Sequence, residues 1–170
     1  MSEDARDEIR NITAEDIATN AALVRRCFQT VADEMGITPE NAPHYTAFIT
    51  DEQLEEERAK GAVFFGYFVD GVKAGFVTLE KENGEWLMKR LAVLPAYRHR
   101  GIGRKLAEHV SNYARGQGAS SLHIGIVNEQ AGLKDWYEGM GFKEYRLLEI
   151  PDLPFKVSLL KRELEDASGG

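Results

Sequence analysis

Apolar residues recur at helical spacing near the beginning of the chain. Thr13 and Asp16 form a capping pattern, and the apolar residues that follow predict a helix. The residues on its apolar stripe are Ile17, Ala21, Val24 and Phe28. A second capping box at 50–53 predicts a short helix that ends near Gly61. The intervening segment 38–49 contains two prolines and predicts a loop.

The middle of the chain consists of apolar runs separated by turn dipeptides. Asp70-Gly71 separates the run 62–69 from the run 72–80, and Asn83-Gly84 precedes the run 86–94. An Asp-Gly or Asn-Gly pair between apolar runs is typical of a β-hairpin. The pattern therefore predicts three antiparallel strands in a meander.

The last part of the chain mixes the helical and the strand period. A helix is predicted over residues 102–113, with Ile102, Leu106, Val110 and Tyr113 on one face and an end near Gly116 and Gly118. A strand at 121–127, a helix at 133–140 stopped by Gly141, and a hairpin of 142–150 with 155–160 follow. The order α-α-β-β-β-α-β-α-β-β predicts an α/β fold with a mixed sheet and helices on its faces. We expect one domain over residues 1–170, with a core from about 9 to 162 and short flexible termini.

Composition excludes several classes of protein. The 170 residues carry a formal net charge of -7, which argues against a nucleic-acid binder. No apolar stretch approaches ~20 residues, so no membrane span is expected. The single cysteine, Cys27, cannot form an intrachain disulfide and suits a reducing compartment, so we expect a cytoplasmic protein. Cys27 lies beside Phe28 in the first predicted helix and is better interpreted as a buried apolar residue than as a nucleophile.

The segment 93–104 carries the most informative chemistry. It joins a strand end to a helix start and places Gly101 and Gly103 at the bend. Free N–H groups at a helix start form an anion site, and glycine lets a ligand approach the backbone closely. Four basic residues add positive charge: Arg98, Arg100, Arg104 and Lys105. A pyrophosphate fits this chemistry, although a structural glycine-capped basic loop would give the same pattern. The segment lacks the Gly-Lys-Ser/Thr of a P-loop and the third glycine of a dinucleotide fingerprint.

Two motifs resemble those of a known family. Arg98-x-x-Gly101-x-Gly103, after the strand end 91–93, resembles the acetyl-CoA signature of the GNAT superfamily of N-acetyltransferases. The segment 130–142, with its aromatic-Tyr and Gly-Phe pairs, is similar to a second family motif. The resemblance covers nearly the whole chain, is strong over 87–142 and is weak before residue 62. Gln130 stands where the family has Asn, Leu133 replaces a small residue, and Asn128 is an alternative amide.

The resemblance implies a fold, a co-substrate and a site. The fold would be a GNAT-like mixed, mostly antiparallel sheet with helices on both faces, and acetyl-CoA would be the co-substrate, with no metal. The backbone of 98–103 would hold the pyrophosphate of CoA, and Leu91 and Val93 would pair through their main chains with its pantetheine arm. The full set of expected cofactor-binding residues is Leu91, Ala92, Val93, Arg98, His99, Arg100, Gly101, Ile102, Gly103, Arg104, Gln130, Leu133 and Trp136.

The transfer reaction needs a proton donor and a proton acceptor. The leaving sulfur benefits from a general acid, and the resemblance assigns this role to Tyr137, which position alone would interpret as a core aromatic. Positions that carry Glu in family members hold Lys89 and Gly125, neither of which is a carboxylate base. The base is left open among Glu80, Glu82, Glu85, His123, water, and an amine that enters neutral.

The acceptor is not identified by the sequence. The segment 42–49, with His44, Tyr45 and Phe48, falls where the family lines its acceptor site, and it is equally well explained as a loop anchored by aromatics. The leading hypothesis is an N-acetyltransferase for a small-molecule primary amine. The alternatives are a protein N-terminal or lysine acetyltransferase and a non-catalytic CoA-binding module. A homodimer is compatible with the sequence.

Overall fold

The computed structural model describes residues 6–164, which form a seven-stranded sheet with helices on both faces. The strands are β1 Asp7–Asn11, β2 Val63–Val69, β3 Val72–Glu82, β4 Glu85–Val93, β5 Ser121–Val127, β6 Lys143–Leu148 and β7 Val157–Glu163. The helices are α1 Ile17–Met35, α2 Asp51–Ala59, α3 Ile102–Gly116 and α4 Leu133–Glu138, with short 3₁₀ turns at Thr46–Phe48 and Pro95–Tyr97. The predicted mixed α/β fold is confirmed. The outer parts of the expected flexible termini, 1–5 and 165–170, lie outside the described residues.

One strand was missed by the sequence pattern. β1 pairs antiparallel with β2 at the sheet edge, with Ile9 opposite Tyr67. Of its five residues only Ile9 is partly buried, and the other four are exposed. Because the strand has a single inward-facing apolar residue, it lacks the alternation by which half-buried strands are predicted. The predicted element order therefore needs a strand added before α1.

The predicted capping pattern of Thr13 and Asp16 is only partly correct, because Thr13 does not cap the first helix. α1 begins at Ile17, and its N-cap is Asp16, whose Oδ1 accepts a hydrogen bond from the N–H of Ala18 at 3.1 Å. Thr13 instead accepts a hydrogen bond from the N–H of Phe64, with 2.9 Å between its Oγ1 and the nitrogen. Thr13 thus fastens the loop to β2, while Asp16 provides an acceptor for a free N–H group at the start of α1.

The predicted second capping box is confirmed. Thr50 Oγ1 accepts from the N–H of Gln53 at 3.1 Å, and Gln53 Oε1 accepts from the N–H of Thr50 at 2.9 Å. α2 ends at Ala59, just before Gly61, whose φ of 105° a residue with a side chain rarely adopts.

The sheet buries an apolar layer on each face. Its strand order is β1-β2-β3-β4-β5-β7-β6, and all neighbours are antiparallel except β4 and β5. α3 connects those two strands and packs Leu106 and Val110 into one core, together with Val77 of β3. α1 and α2 cover the opposite face, where Leu54 packs with Phe76.

The central pair of strands separates soon after it forms. β4 and β5 pair only at Trp86–Leu122 and Leu87–His123. Further along β4, the register with β3 shifts by one residue, and Arg90 has a φ of 56°. An extra residue in one strand bends it and ends regular pairing. The bulge therefore leaves the later part of β4 without β5 as a partner and opens a cleft in the middle of the sheet.

Candidate functional site

The diverging strands β4 and β5 enclose a cleft of about 960 Å³. The start of α3 and α4 bound it on one face, and residues of α1 and of the α1–α2 segment bound it on the other. Every expected cofactor-binding residue lines this cleft except Arg100. The exposed Arg100 lies over the Tyr97 ring, with 5.1 Å from its guanidinium carbon to the ring centroid. The fold thus gathers two motifs that lie about thirty residues apart.

Backbone N–H groups without protein partners lie at the start of α3. Gly101 caps the helix with a φ of 81° and ψ of 8°, and it offers no side chain. The first helical hydrogen bond runs from the N–H of Lys105 to the Gly101 carbonyl at 3.0 Å. Within the described part of the chain, the N–H groups of 102–104 therefore have no acceptor. Together with the helix dipole, these groups form a site for an anion.

Gly103 is required by packing rather than by backbone conformation. A Cβ added to Gly103 would lie 3.3 Å from Cη2 of Trp136, tighter than most such contacts. Trp136 lies in α4, and 39% of its surface remains exposed. The missing side chain at Gly103 therefore lets the Trp136 ring lie directly against the first turn of α3.

The Arg98 side chain makes three hydrogen bonds within the protein. Its Nε donates to the Val93 carbonyl at 3.0 Å, and one terminal nitrogen donates to the Cys27 carbonyl at 2.8 Å. The other terminal nitrogen donates to Thr30 Oγ1 at 3.1 Å. The guanidinium therefore fastens the loop after β4 to α1.

Tyr137 combines a buried ring with an unpaired hydroxyl. The residue is 6% exposed, and its ring packs edge-on against Trp136 and Phe142 at centroid distances of 4.9 and 5.4 Å. Its hydroxyl makes no hydrogen bond to any residue of the described chain, yet the residue lines the cleft. Burial raises the pKa of Tyr137, so the hydroxyl keeps its proton at neutral pH. Tyr137 is thus a core aromatic whose protonated hydroxyl belongs to the cleft wall.

The amide at the cleft wall belongs to Gln130. Gln130 lines the cleft, whereas Asn128 is not among the residues that do. Asn128 Oδ1 accepts a hydrogen bond from Lys134 Nζ at 2.8 Å, which fixes the side chain against α4. Of the two amides left open by the sequence, Gln130 is the one that lines the cleft.

An aromatic cluster forms the opposite wall. His44 and Tyr45 line the cleft, and Tyr45 packs against Phe28, Phe48 and Phe155 at centroid distances of 6.2, 6.2 and 6.1 Å. Burial raises the pKa of Tyr45 to about 12, so it is neutral at physiological pH. The segment 42–49 is therefore both a cleft wall and a loop anchored by aromatics.

Two cationic side chains of β4 that line the cleft, Lys89 and Arg90, are paired with carboxylates. Lys89 Nζ lies 3.1 Å from Glu80 Oε2. Arg90 forms an ion pair with Glu57 of α2 and donates to Thr46 Oγ1 at 2.9 Å. Sequence reasoning missed Arg90, since its positive φ and its partners more than thirty residues away leave no local signal. The pair ties the bulge of β4 to the α1–α2 segment and neutralises the charge there.

Residues 6–164 contain neither a candidate membrane-spanning helix nor a candidate metal cluster. No helix there is long and apolar enough to cross a membrane. No group of three or more His, Cys, Asp and Glu side chains there is arranged to hold a metal ion.

Comparison with curated proteins finds relatives that match part of the chain. The streptothricin acetyltransferase of Streptomyces lavendulae is 33% identical over 94 residues, covering 54% of this chain and 50% of that protein. A relative from Xenopus tropicalis is 29% identical over 113 residues, covering 62% of this chain and 52% of that protein. The chain thus spans about half the length of these two relatives.

Solved structures share the fold over nearly the full chain. PaiA N-acetyltransferase from Thermoplasma acidophilum, in complex with coenzyme A, superposes with a TM-score of 0.75 at 20% identity, covering 93% of this chain and 99% of that one. The ribosomal-protein-S18-alanine N-acetyltransferase from Escherichia coli gives a TM-score of 0.75 at 17% identity, with 95% and 96% covered. At these identities the likeness concerns the fold.

A protein-family model matches most of the chain. The model described as the Acetyltransferase (GNAT) family matches residues 23–142, which include the diverging strands, the start of α3 and Tyr137. The chain therefore belongs to the GNAT acetyltransferase family.

Proposed function

We propose that this chain is an acetyl-CoA-dependent N-acetyltransferase that acetylates a primary amine of a small molecule by direct attack on the thioester. The observation that carries the proposal is the cleft between β4 and β5, which brings an anion site and an unpaired tyrosine hydroxyl to one cavity. The single free thiol suits a cytoplasmic protein.

The donor half of the cleft has the chemistry that acetyl-CoA requires. The unpaired N–H groups of 102–104 would bind pyrophosphate oxygens, and Gly101 and Gly103 leave the backbone open to them. Beyond the bulge, β4 has an edge that β5 leaves unpaired, and an amide-containing arm can hydrogen-bond there as an added strand would. Gln130 and Trp136 border the same space.

Tyr137 is the general acid in this proposal. Once the amine nitrogen attacks the carbonyl carbon, the carbon–sulfur bond breaks and the sulfur leaves as a thiolate. The Tyr137 hydroxyl is protonated, has no competing acceptor among residues 6–164 and belongs to the cleft wall. It can therefore give its proton to the departing sulfur.

The acceptor half favours a small molecule over a protein. Its wall is aromatic, from His44 and Tyr45, and the cations of Lys89 and Arg90 are already paired. A groove for a basic peptide would present unpaired carboxylates along an open surface. The streptothricin acetyltransferase relative, which is named for a small-molecule acceptor, supports the same choice.

A two-stage experiment tests the proposal. Acetyl-CoA should raise the melting temperature, whereas ATP and NAD should not. At a hundredfold excess over its Kd, acetyl-CoA should increase the free energy of unfolding by about 2.7 kcal/mol. Thiol release should then be followed with putrescine, tyramine, glucosamine, streptothricin and an Ala-Ala-Ala peptide as acceptors. Turnover with at least one small amine and slower turnover with the peptide is the expected result. No thermal shift with acetyl-CoA, or binding without turnover of any amine, would overturn the enzymatic assignment. A preference for the peptide would replace the small molecule by a protein acceptor.

A further inference from the structure

His123 lies where β4 and β5 begin to diverge. It is directly opposite Leu87 of β4 in the last pair that these two strands form. The residue is 8% exposed and still lines the cleft. Its side chain shares a face of β5 with Gly125, since Leu122 and Ile124 are packed in the core on the α3 side. His123 therefore lies on the acceptor half of the cleft, at its closed end.

Both ring nitrogens of His123 have polar neighbours. Nδ1 lies 3.0 Å from the Tyr145 hydroxyl, and Nε2 lies 3.2 Å from Ser121 Oγ. Glu85 Oε2 is 3.8 Å from Nε2. A ring that donates from Nε2 and accepts at Nδ1 satisfies these neighbours and leaves Nδ1 able to take a proton.

A second, polar cavity of about 350 Å³ adjoins the ring. Glu85 and His123 line both this cavity and the main cleft. Water in the second cavity can therefore reach the Nε2 side of the ring, and the Glu85 carboxylate can stabilise a positive charge on it.

Charged and titratable groups from three further strands lie around His123 and Glu85. Lys161 of β7 pairs with His123 in the sheet, and its Nζ lies 5.7 Å from the centroid of the Tyr145 ring. Lys81 of β3 lines the second cavity, and Arg146 follows Tyr145 in β6. Burial, and next the Glu85 carboxylate, raise the pKa of Tyr145, so its hydroxyl is protonated and can donate to Nδ1.

We propose that His123 accepts the proton that the acceptor amine must lose, and that the Tyr145 hydroxyl relays it. This assignment rests on the proposed acetyltransferase activity. It fills the role of proton acceptor that Lys89 and Gly125 cannot provide. Glu80 is ion-paired with Lys89 and is not among the residues that line the cleft.

The proton transfers balance. An amine arrives mostly as an ammonium ion, because lysine-like amines have a pKa near 10.4. One of its protons passes to the Tyr145 oxygen while the Tyr145 proton passes to Nδ1 of His123, so Tyr145 stays neutral. The free amine then forms the carbon–nitrogen bond as the carbon–sulfur bond breaks. The second nitrogen proton, carried by water, replaces the one that Tyr137 gives to the sulfur, and the imidazolium releases its extra proton to solvent by the reverse route.

The test compares pH profiles of variants. Thiol release with the responsive amine of the panel is measured from pH 6 to pH 10 for the parent, His123→Gln and Tyr145→Phe, with His109→Gln as the control. Glutamine keeps hydrogen-bonding groups near Tyr145 and Ser121 but does not titrate. His109 lies on α3 against Phe65 and does not line the cleft. Acetyl-CoA affinity is measured on every variant by calorimetry.

We expect His123→Gln to lower kcat/KM for the amine by about 10²-fold near neutral pH, and Tyr145→Phe to lower it in the same direction. The loss should shrink towards pH 10, where free amine is abundant in solution, while acetyl-CoA affinity stays at the parental value. His109→Gln should keep the parental profile. A His123→Gln loss that is the same at every pH would indicate a structural role and overturn the proposal, as would a parental profile.

Tyr145→Phe is expected to fold like the parent, because Tyr145 is 47% exposed and the substitution removes only its hydroxyl. If His123→Gln does not fold, an unchanged profile for Tyr145→Phe overturns the relay and an altered one supports it. A parent that binds no acetyl-CoA or turns over no amine would instead overturn the proposed function itself.

Discussion

Arg98 Nε donates to the carbonyl of Val93 at 3.0 Å, five residues earlier in the chain, and so closes the loop that leads from β4 into α3. The same guanidinium reaches the Cys27 carbonyl and Thr30 of α1. One side chain therefore holds together the strand, the loop and the helix that border the cleft.

Arg98→Lys should destabilise the protein by about 2–3 kcal/mol, because a single ammonium cannot replace donors directed at three acceptors. Urea unfolding measures the change in the free energy of unfolding. Arg104→Lys is the matched control, since Arg104 is exposed and makes no hydrogen bond to another residue of the described chain. Equal stability of the two variants would mean that the Arg98 contacts contribute little.

A comparison of Gly101→Val with Gly71→Val separates the cost of backbone strain from the loss of ligand binding. Gly101 and Gly71 both have a φ above 80°, and a Cβ at either would meet no atom within 4 Å. Valine at either position should therefore cost about 1–2 kcal/mol of stability through the left-handed backbone. Gly71 lies in the turn between β2 and β3, away from the cleft lining.

Only Gly101→Val should weaken acetyl-CoA binding, by about 100-fold, which corresponds to the loss of roughly two charged hydrogen bonds. Calorimetry on both variants measures this. Parental affinity in Gly101→Val would place the phosphate elsewhere.

Tyr137→Phe tests the general acid. Removing a hydroxyl that has no partner in the described chain should leave the melting temperature at or above the parental value. Turnover on a responsive amine should fall by about 10²–10⁴-fold, with acetyl-CoA affinity unchanged. Tyr113→Phe is the control, as Tyr113 packs against Phe65 outside the cleft lining. Undiminished turnover in Tyr137→Phe would leave the ring with a packing role alone.

Cys27 should be unreactive in the native protein. Burial raises the pKa of its thiol to about 11, so only about one molecule in 10³ carries a thiolate at pH 8. Iodoacetamide at pH 8 should label Cys27 rapidly in urea and slowly in buffer. Incubation with acetyl-CoA alone should add no acetyl group by intact mass. A stable acetyl adduct on Cys27 would contradict direct attack by the amine.

The features predicted correctly from the sequence are those that depend on residues close together in the chain. The Thr50–Gln53 capping box and the two Asx-Gly turns are local, and each occurs where it was expected. β1 was missed because it has one inward-facing apolar residue. The capping role expected of Thr13 was wrong because Thr13 accepts a hydrogen bond from Phe64 instead.

The site was predictable only as far as its motifs reach. The anion loop was predicted from residue type and spacing, and Tyr137 was singled out only by its resemblance to the family motif. The cleft, in contrast, depends on the early end of β4–β5 pairing and on the bulge at Arg90, which are set by long-range packing. The Arg98 contacts join residues 68 and 71 positions apart, and no local pattern indicates them.

The divergence of β4 from β5 also affects how a protein of this kind can evolve. On one side of the opening, the groups proposed to bind the co-substrate include the main-chain N–H groups of 102–104. Almost any residue type supplies such groups, so we expect substitutions there to alter them little once the two glycines are kept. On the other side the wall consists of side chains such as His44 and Tyr45, which single substitutions can exchange. Under the proposed function, substitutions in this wall would change the acceptor while the donor half remains intact.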